Sequence, residues 1–517
     1  MTVYSINRGI GWASSGVEYA QAYRAKLLRA AGFSARFIFT DMFRMENIEH
    51  LTKNIGFEDE EIIWLYSFFT DFHIAPTTYS RQELESSFPE RPVAVIREKE
   101  EIRYDFPGGE VYARAYCRKG YPDIVQRVEY VSRGKLIRKD YFTYGRLFSE
   151  YYAPVKKRAH VYLRRFFNED GSEAWTESMD EKSIVFRVGS RMFYSKQKLI
   201  AYMLECLNPG ADDVLLLDRA TEIGPAALMN HGRAKIGTII HAEHYNHTFT
   251  DERNILWNNF YEFEFQHASN IDFFVSSTEV QRQILQKQFQ KYYGISPAIV
   301  TIPVGSLDRL RYPEQPRRRH AMITASRLAA EKHIDWLVLA TVKARETVKD
   351  ISLDIYGSGG EEERLSELIR EHGAEAYIRL MGHQHLDELY TQYEVYAAAS
   401  TSEGFGLTLM EAVGSGLAMI GFDVHYGNQE FIAPGENGYL IPYKRSLDAE
   451  GQSDRLAAMM IRLFTWADPD AFSRKSYEIA ERYLTDRVMG AWTDLLEGLT
   501  DRPPEDGSDV EAAGTVI

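Results

Sequence analysis

The strongest constraint on the fold is a regular alternation of strand and helix patterns in the second half of the chain. Short apolar runs typical of buried strands alternate with stretches whose apolar residues recur at helical spacing. The predicted elements are strands 321–326, 352–356 and 378–381 and helices 333–348, 362–372 and 386–393. Strands that alternate with helices form a parallel sheet covered on both faces. The predicted fold class is therefore α/β, and such sheets bind ligands at the carboxyl ends of their strands.

Two glutamates flank a glycine-containing turn that follows a further strand pattern. The chain enters a helix at about Gly406, so Glu403 lies in the loop at the strand's carboxyl end and Glu411 lies more than one turn into the helix. The N–H groups of Phe405, Gly406 and Leu407 have no intrahelical partners, and with the helix dipole they favour phosphate or sugar oxygens. The Glu411 carboxylate can accept two ribose hydroxyls. The alternative is that Glu403 caps the helix and Glu411 is solvated.

A second cluster places two cations at a neighbouring strand end. Arg327 follows strand 321–326, and Lys332 begins the next helix. An arginine and a lysine beside a phosphate-accepting helix suit a diphosphate leaving group. With Glu403 and Glu411, these cations resemble the motif of the retaining, nucleotide-sugar-dependent glycosyltransferases of family four. The resemblance implies the GT-B fold, with two Rossmann-like domains facing a cleft.

The resemblance also implies a role for each site residue. Arg327 and Lys332 would neutralise the leaving nucleotide diphosphate, so that no metal or other cofactor is expected, and Glu403 would hold the donor sugar. His241 would line the sugar pocket, which completes the implied catalytic set. The remaining implied donor-binding residues are Gly16, Phe405, Gly406, Leu407, Glu411, His383, Gln384 and Gly357. The alternative for Gly16 and Gly357 is an ordinary tight turn.

The histidines and cysteines of the chain do not predict a metal site either. His241, His244 and His247 lie within seven residues, but their spacing lacks a helix-borne pair of ligands. Cys117 and Cys206 are the only cysteines and lie far apart in the sequence. They indicate a reducing compartment and offer no cysteine-based metal site.

The pattern changes between about residues 77 and 194, where short β-rich runs alternate with Gly, Asn and Asp turns. This indicates an antiparallel β-sheet domain inserted into the first α/β domain. Between Val111 and Arg165 there are 14 Lys and Arg against 4 Asp and Glu, although the whole chain has a net charge of −15. The basic sheet suggests contact with an anionic lipid surface, a phosphate polymer or an acidic protein, and the alternative is a solvated face. The acidic chain as a whole argues against nucleic-acid binding.

The insertion narrows the resemblance to the catalytic subunits of a glycosyltransferase pair that modifies serine-rich-repeat adhesins exported by the accessory Sec pathway. In those enzymes the insertion helps to bind a B subunit. The implied reaction moves N-acetylglucosamine, or alternatively glucose, from a UDP-sugar to serine or threonine of the adhesin. The alternatives are a wall-teichoic-acid α-glycosyltransferase, which has a similar insertion, and a non-catalytic substrate-binding subunit.

The predicted domains follow from these patterns. They are a Rossmann-like domain at 1–76 and 195–307, the β-sheet insertion at 77–194, a second Rossmann-like domain at 308–484, a helix returning to the first domain at 485–499 and a disordered tail at 500–517. Residues 59–72 are predicted to be helical. No apolar run approaches the roughly 20 residues that span a bilayer, and the polar start of the chain lacks a signal-peptide pattern. We therefore expect a cytoplasmic protein, either free or peripheral on the inner face of the membrane.

Overall fold

A computed structural model describes residues 1–11, 16–156, 158–219 and 221–500. The predicted disordered tail lies outside the described residues, apart from Thr500. The strands are β1 Thr2–Asn7, β2 Ser34–Phe39, β3 Ile62–Trp64, β4 Ala94–Glu98, β5 Glu101–Asp105, β6 Val111–Arg118, β7 Tyr121–Ser132, β8 Lys135–Phe142, β9 Arg146–Val155, β10 Arg158–Phe167, β11 Glu173–Met179, β12 Ile184–Val188, β13 Arg191–Phe193, β14 Val214–Leu217, β15 Lys235–Ile240, β16 Phe273–Ser276, β17 Ile299–Thr301, β18 Ala321–Ala325, β19 Ser352–Tyr356, β20 Ile378–Gly382, β21 Val395–Ala397, β22 Ala418–Asp423 and β23 Gly438–Pro442.

Helices connect most of the parallel strands. They are α1 Gly16–Ala30, α2 Ile48–Lys53, α3 Leu65–Phe68, α4 Arg81–Ser87, α5 Lys196–Leu207, α6 Gly224–Asn230, α7 Glu262–Gln266, α8 Glu279–Tyr293, α9 Ile334–Ala344, α10 Glu362–Glu371, α11 Leu407–Gly414, α12 Gly427–Phe431, α13 Ala449–Trp466, α14 Pro469–Ala480 and α15 Thr485–Thr500.

The strands form three sheets. One has the order β17-β16-β15-β14-β1-β2-β3, with β1 parallel to both β14 and β2. Another has the order β20-β19-β18-β21-β22-β23, and every neighbouring pair is parallel. All residues of β18 and β21 are buried, as expected for strands covered on both faces. The predicted α/β class is confirmed.

The third sheet contains β4 to β13 in sequence order, each strand antiparallel to the next, which confirms the predicted antiparallel meander. Several lysines and arginines of this sheet contact aromatic rings or carboxylates of the same sheet. The Arg127 guanidinium lies 4.1 Å from the centre of the Tyr116 ring, and Arg138 lies 4.0 Å from that of Tyr130. Lys139 Nζ lies 2.7 Å from a carboxylate oxygen of Glu129. Stacked rings and ion pairs therefore hold these cations in defined positions.

Two helix predictions are wrong in part, because tertiary pairing decides short segments. Within 59–72, residues Ile62–Trp64 form a strand that pairs with β2, and only Leu65–Phe68 is α-helical. Within 386–393 the structure has only a 3-10 turn, Tyr390–Gln392. Tyr390 is fully buried there, and its hydroxyl bonds to a neighbouring helix. Helix propensity over so few residues is too weak to compete with such contacts.

The chain divides into two compact units. Met1–Arg29, Phe33–Ile240 and His244–Phe274 form the first unit, and Ala30–Gly32, His241–Glu243 and the chain from Val275 onward form the second.

Candidate functional site

The loop after β21 carries Glu403 at the middle of the second unit's parallel sheet, where β21 lies between β18 and β22. Gly406 has φ +87 and precedes α11, so the helix begins where the sequence predicts. Only glycine adopts this left-handed conformation at little cost. The Thr408 and Tyr396 hydroxyls share a hydrogen bond of 2.8 Å, and the Tyr396 hydroxyl donates to the Ala325 carbonyl oxygen at 3.0 Å. The first turn of α11 is thereby tied to the end of β18.

Backbone contacts fix Glu403. Its N–H donates to the His425 carbonyl oxygen at 3.0 Å, and its own carbonyl oxygen accepts from Gly427 N–H at 2.9 Å. Its Cγ lies 3.2 Å from the position of a Cβ at either Gly406 or Gly427. A Cβ at Gly427 would also lie 1.9 Å from the Phe405 carbonyl oxygen. The two glycines therefore make room for the Glu403 side chain.

The structure brings Lys332 to Glu403. Lys332 Nζ lies 2.7 Å from Glu403 Oε2, and the two side chains are 17% and 21% exposed. Arg327 points elsewhere, because its guanidinium pairs with Glu331 at 3.2 Å and its side chain is 68% exposed. Lys332 is thus partly buried against the Glu403 carboxylate, while Arg327 is mostly exposed to solvent at the same strand end.

Glu411 is the second glutamate, on the following helix. The Tyr390 hydroxyl donates to Glu411 Oε2 at 3.0 Å. Burial raises the pKa of the Glu411 carboxyl to about 7, although the Tyr390 hydrogen bond opposes this effect. The carboxyl therefore titrates near neutral pH. Nothing in the local sequence marks Tyr390 as the partner of a residue on another element, so the sequence does not predict this contact.

Gly357 lies where two strand ends meet. It has φ +131, and a Cβ there would lie 1.9 Å from the Ser326 carbonyl oxygen. Its N–H donates to the Gly382 carbonyl oxygen at 2.9 Å, so it joins the ends of β19 and β20. His383 and Gln384 follow Gly382 and are exposed. Their implied role in donor binding is compatible with this exposure.

His241 follows β15 but packs with the second unit. The Gly404 Cβ position lies 2.7 Å from the His241 carbonyl oxygen, and Ser402 Oγ donates to Glu243 Oε2 at 3.2 Å. His241 is thereby brought beside the Glu403 loop. His244 is fully buried and packs against the rings of Trp257 and Phe265. Within the described ranges, no cluster of three or more His, Cys, Asp or Glu side chains is placed to hold a metal ion.

Gly16 lies in the first unit, whereas the other predicted site residues lie in the second. It is exposed and begins α1, and residues 12–15 before it lie outside the described residues. Below it, a buried chain of hydrogen bonds joins α1 to the sheet. Asn7 Nδ2 donates to Gln21 Oε1 at 3.0 Å, Gln21 Nε2 donates to Asp218 Oδ2 at 2.9 Å, and Arg24 donates to the same oxygen. This chain of bonds, which the sequence did not reveal, attaches α1 to the ends of β1 and β14.

The arrangement suits transfer of a group from an anionic leaving group. A lysine, an arginine and the start of α11 supply positive potential, and two carboxylates can accept hydroxyls.

Comparison with known proteins agrees with this chemistry. A family model described as glycosyl transferases group 1 matches residues 312–461, and a model described as GtfA extended beta-sheet domain matches residues 94–190. The chain is 52% identical over 502 residues to the UDP-N-acetylglucosamine–peptide N-acetylglucosaminyltransferase GtfA subunit of Streptococcus gordonii. That match covers 97% of this chain and 99% of the relative.

Solved structures give the same match. A GtfA/B complex contains a chain 51% identical, with a TM-score of 0.93 over 97% of this chain and 100% of that one. The pneumococcal O-GlcNAc transferase GtfA, solved with UDP and GlcNAc, is 46% identical, with a TM-score of 0.91 over 97% and 99%. A poly(ribitol-phosphate) alpha-N-acetylglucosaminyltransferase of Staphylococcus aureus is 22% identical over 357 residues, covering 65% of this chain and 69% of that protein.

Proposed function

We propose, since the chain belongs to the GtfA family of group 1 glycosyltransferases, that it transfers N-acetylglucosamine from UDP-N-acetylglucosamine to serine or threonine of a polypeptide. The observation that carries this proposal is the Lys332–Glu403 pair at the centre of the second unit's sheet, in a chain that matches such enzymes over nearly its whole length. A non-catalytic subunit is disfavoured because Gly16, Arg327, Lys332, Glu403 and Glu411 are all present.

A more specific proposal concerns the identity of the acceptor polypeptide and of the partner protein. We propose that the polypeptide is a serine-rich-repeat adhesin and that a B subunit binds through the sheet β4–β13. The excess of Lys and Arg over Asp and Glu between residues 111 and 165 favours an acidic partner surface. Within the described part of the chain, no helix has the length and apolar character needed to cross a membrane. We propose a cytoplasmic enzyme, and the same cations would support peripheral contact with anionic lipid.

The proposed mechanism is transfer with retention. UDP leaves, Lys332 and Arg327 stabilise the charge that develops on its diphosphate, and Glu403 and the start of α11 hold the sugar. As the bond from the anomeric carbon to the diphosphate breaks, the acceptor oxygen bonds to that carbon on the same face, and the hydroxyl proton passes to the departing diphosphate. The configuration is retained in this route, and neither glutamate is assigned as a nucleophile on the opposite face. His241 would line the sugar pocket, and the turn at His383 and Gln384 would contact the uracil.

The proposed mechanism needs no divalent ion, since two side-chain cations take its place. We expect transfer in EDTA to equal transfer in buffer. The measurement is the initial rate with metal-stripped protein, and a rate that EDTA abolishes and manganese restores would refute this part of the mechanism.

UDP binding should depend on pH through Glu411. Ribose hydroxyls donate to the ionised carboxylate, so bound UDP lowers a pKa that is about 7 in the free protein. Binding then releases a proton below pH 7, and affinity should fall by up to about tenfold per pH unit below that value and level off above it. Calorimetric titration with UDP from about pH 5.5 to about pH 8.5 measures this. Glu411→Gln controls for titration of UDP itself, and an equal slope in that variant would contradict the assignment.

The proposal is tested by donor choice. The purified chain is incubated with a serine-rich peptide and labelled UDP-N-acetylglucosamine or UDP-glucose, with and without the B subunit of a relative. We expect label from UDP-N-acetylglucosamine on serine or threonine, increased by the B subunit. No label under any condition would favour the non-catalytic subunit. Preferential transfer of label from UDP-glucose would show that the donor is UDP-glucose and not UDP-N-acetylglucosamine.

A further inference from the structure

A groove of about 550 Å³ lies along the outer edge of β3 in the first unit. In the described sheet, β3 is the last strand and pairs only with β2. Successive strand residues point to opposite faces, so a groove that contacts Ile62, Ile63 and Trp64 follows the edge of the strand and not one face. The other apolar residues that line it are Phe68, Phe72 and Ile74.

The backbone of β3 directs hydrogen-bonding groups to this edge. The Ile62 N–H donates to the Asp59 carbonyl oxygen, and the Trp64 carbonyl oxygen accepts from Ser67 Oγ at 3.3 Å. Neither of these bonds involves β2. Because backbone groups alternate in direction along a strand, both residues face away from β2, and the Ile62 carbonyl oxygen and the Trp64 N–H point to the outer edge.

These two groups fit an added strand that is parallel to β3. In a parallel pair, one residue opposite Ile63 donates to the Ile62 carbonyl oxygen and accepts from the Trp64 N–H, so both of its own backbone groups are satisfied. In an antiparallel pair, the residues opposite Ile62 and Trp64 would each meet one β3 group that is already bonded. A buried polar group without a partner is costly. The edge therefore favours a segment that runs in the same direction as β3.

The groove is acidic at the amino end of β3. Asp59 and Glu60 lie in the 3-10 turn before the strand, and both line the groove. Asp59 Oδ1 is buried without a hydrogen-bond partner among the described residues, and Lys53 Nζ lies 3.9 Å from Asp59 Oδ2. Between residues 54 and 80 the sequence contains five Asp and Glu and no Lys or Arg. This charge attracts a basic segment and disfavours pairing with the same edge of a second copy.

We propose that the outer edge of β3 binds an extended, basic segment of a partner polypeptide as an added parallel strand. In strand addition, backbone bonds give affinity and side-chain contacts give selectivity. Because the acidic turn precedes β3 and the two strands run in the same direction, the Lys or Arg of the segment precedes the residue opposite Ile63. The inference concerns partner binding and does not depend on the proposed transfer reaction.

Two fluorescent peptides of equal composition test the direction of binding. Lys-Lys-Val-Gln-Val-Gln-Val has its lysines first, and Val-Gln-Val-Gln-Val-Lys-Lys has them last. Both have blocked termini and contain no serine or threonine that could be modified. Fluorescence anisotropy with the full chain should give a Kd about two- to fivefold lower for the lysine-first peptide. Equal affinities, or no binding at millimolar peptide, would overturn the inference.

Amide hydrogen exchange locates the bound peptide. The Trp64 N–H should exchange more slowly when the lysine-first peptide is bound, because it donates to the added strand. The Ile63 N–H, which points to β2, should be unchanged. If residues 62–64 instead became protected as the protein concentration rises without peptide, a second copy would occupy the edge, and the assignment to a basic partner would be wrong.

A double variant tests the role of charge. Asp59→Asn combined with Glu60→Gln removes both acidic groups and keeps the size of the side chains, so the preference for the lysine-first peptide should disappear. Glu90→Gln, an exposed residue of the same unit outside the groove, is the matched control and should keep the preference. Thermal unfolding checks that the double variant is folded, and an undiminished preference in the folded protein would refute the role of the acidic turn.

Discussion

Lys332→Met is expected to lower kcat by about 10²–10³-fold, the usual loss when one preorganised group that stabilises the leaving charge is removed. Lys332 Nζ lies 2.7 Å from Glu403 Oε2, so the substitution removes the cation nearest to the proposed sugar-binding carboxylate. Met keeps the length and the apolar stem of the side chain but carries no charge. Steady-state transfer to a serine-rich peptide measures the effect.

Two further variants separate charge from folding. Lys332→Arg keeps the charge and should retain more activity than Lys332→Met. Lys349→Met removes an exposed lysine elsewhere in the same unit and should leave kcat unchanged. If Lys332→Met transferred sugar at the native rate with an unchanged thermal midpoint, the leaving-group role would be wrong.

Gly427→Ala is expected to reduce sugar transfer, because it displaces the backbone beside Glu403. The new Cβ would lie 1.9 Å from the Phe405 carbonyl oxygen and 3.2 Å from Glu403 Cγ, so the loop that carries Glu403 must shift. We expect a loss of about 1–3 kcal/mol in stability, as for other overpacked sites, and a larger proportional loss of transfer. Thermal unfolding and transfer kinetics are the measurements.

Gly490→Ala is the control for adding a methyl group. Gly490 lies in α15, and among the described residues nothing beyond its chain neighbours and the adjacent backbone of its own helix lies within 4 Å of the position of its Cβ. Alanine favours a helix over glycine, so stability should not fall and transfer should be unchanged. A Gly427→Ala protein with native kinetics would show that the close approach of Gly427 to Phe405 does not position Glu403.

Local patterns were enough to predict most of the fold. The strand before Glu403, the turn at Gly406 and the helix after it depend on neighbouring residues, and the structure confirms their positions. Strand Ile62–Trp64 and the irregular segment before Tyr390 depend on pairing with distant parts of the chain, so periodicity predicted helices there.

The candidate site also combines features that local sequence predicts with contacts between distant segments that it does not predict. Lys332 and Glu403 were singled out by residue type and spacing, and the structure places them in contact. The bond from Tyr390 to Glu411 and the approach of Gly427 to Phe405 join separate elements. No spacing rule within one segment predicts such contacts, because they arise only when the sheet brings its strand ends together.

The most direct test of the central claim is the choice of acceptor. One reaction contains the purified chain, a B subunit, labelled UDP-N-acetylglucosamine, a serine-rich peptide and poly(ribitol phosphate). The label is then located by mass spectrometry of the separated products. We predict N-acetylglucosamine on serine or threonine of the peptide, and label on the polymer alone would contradict the peptide-transferase assignment.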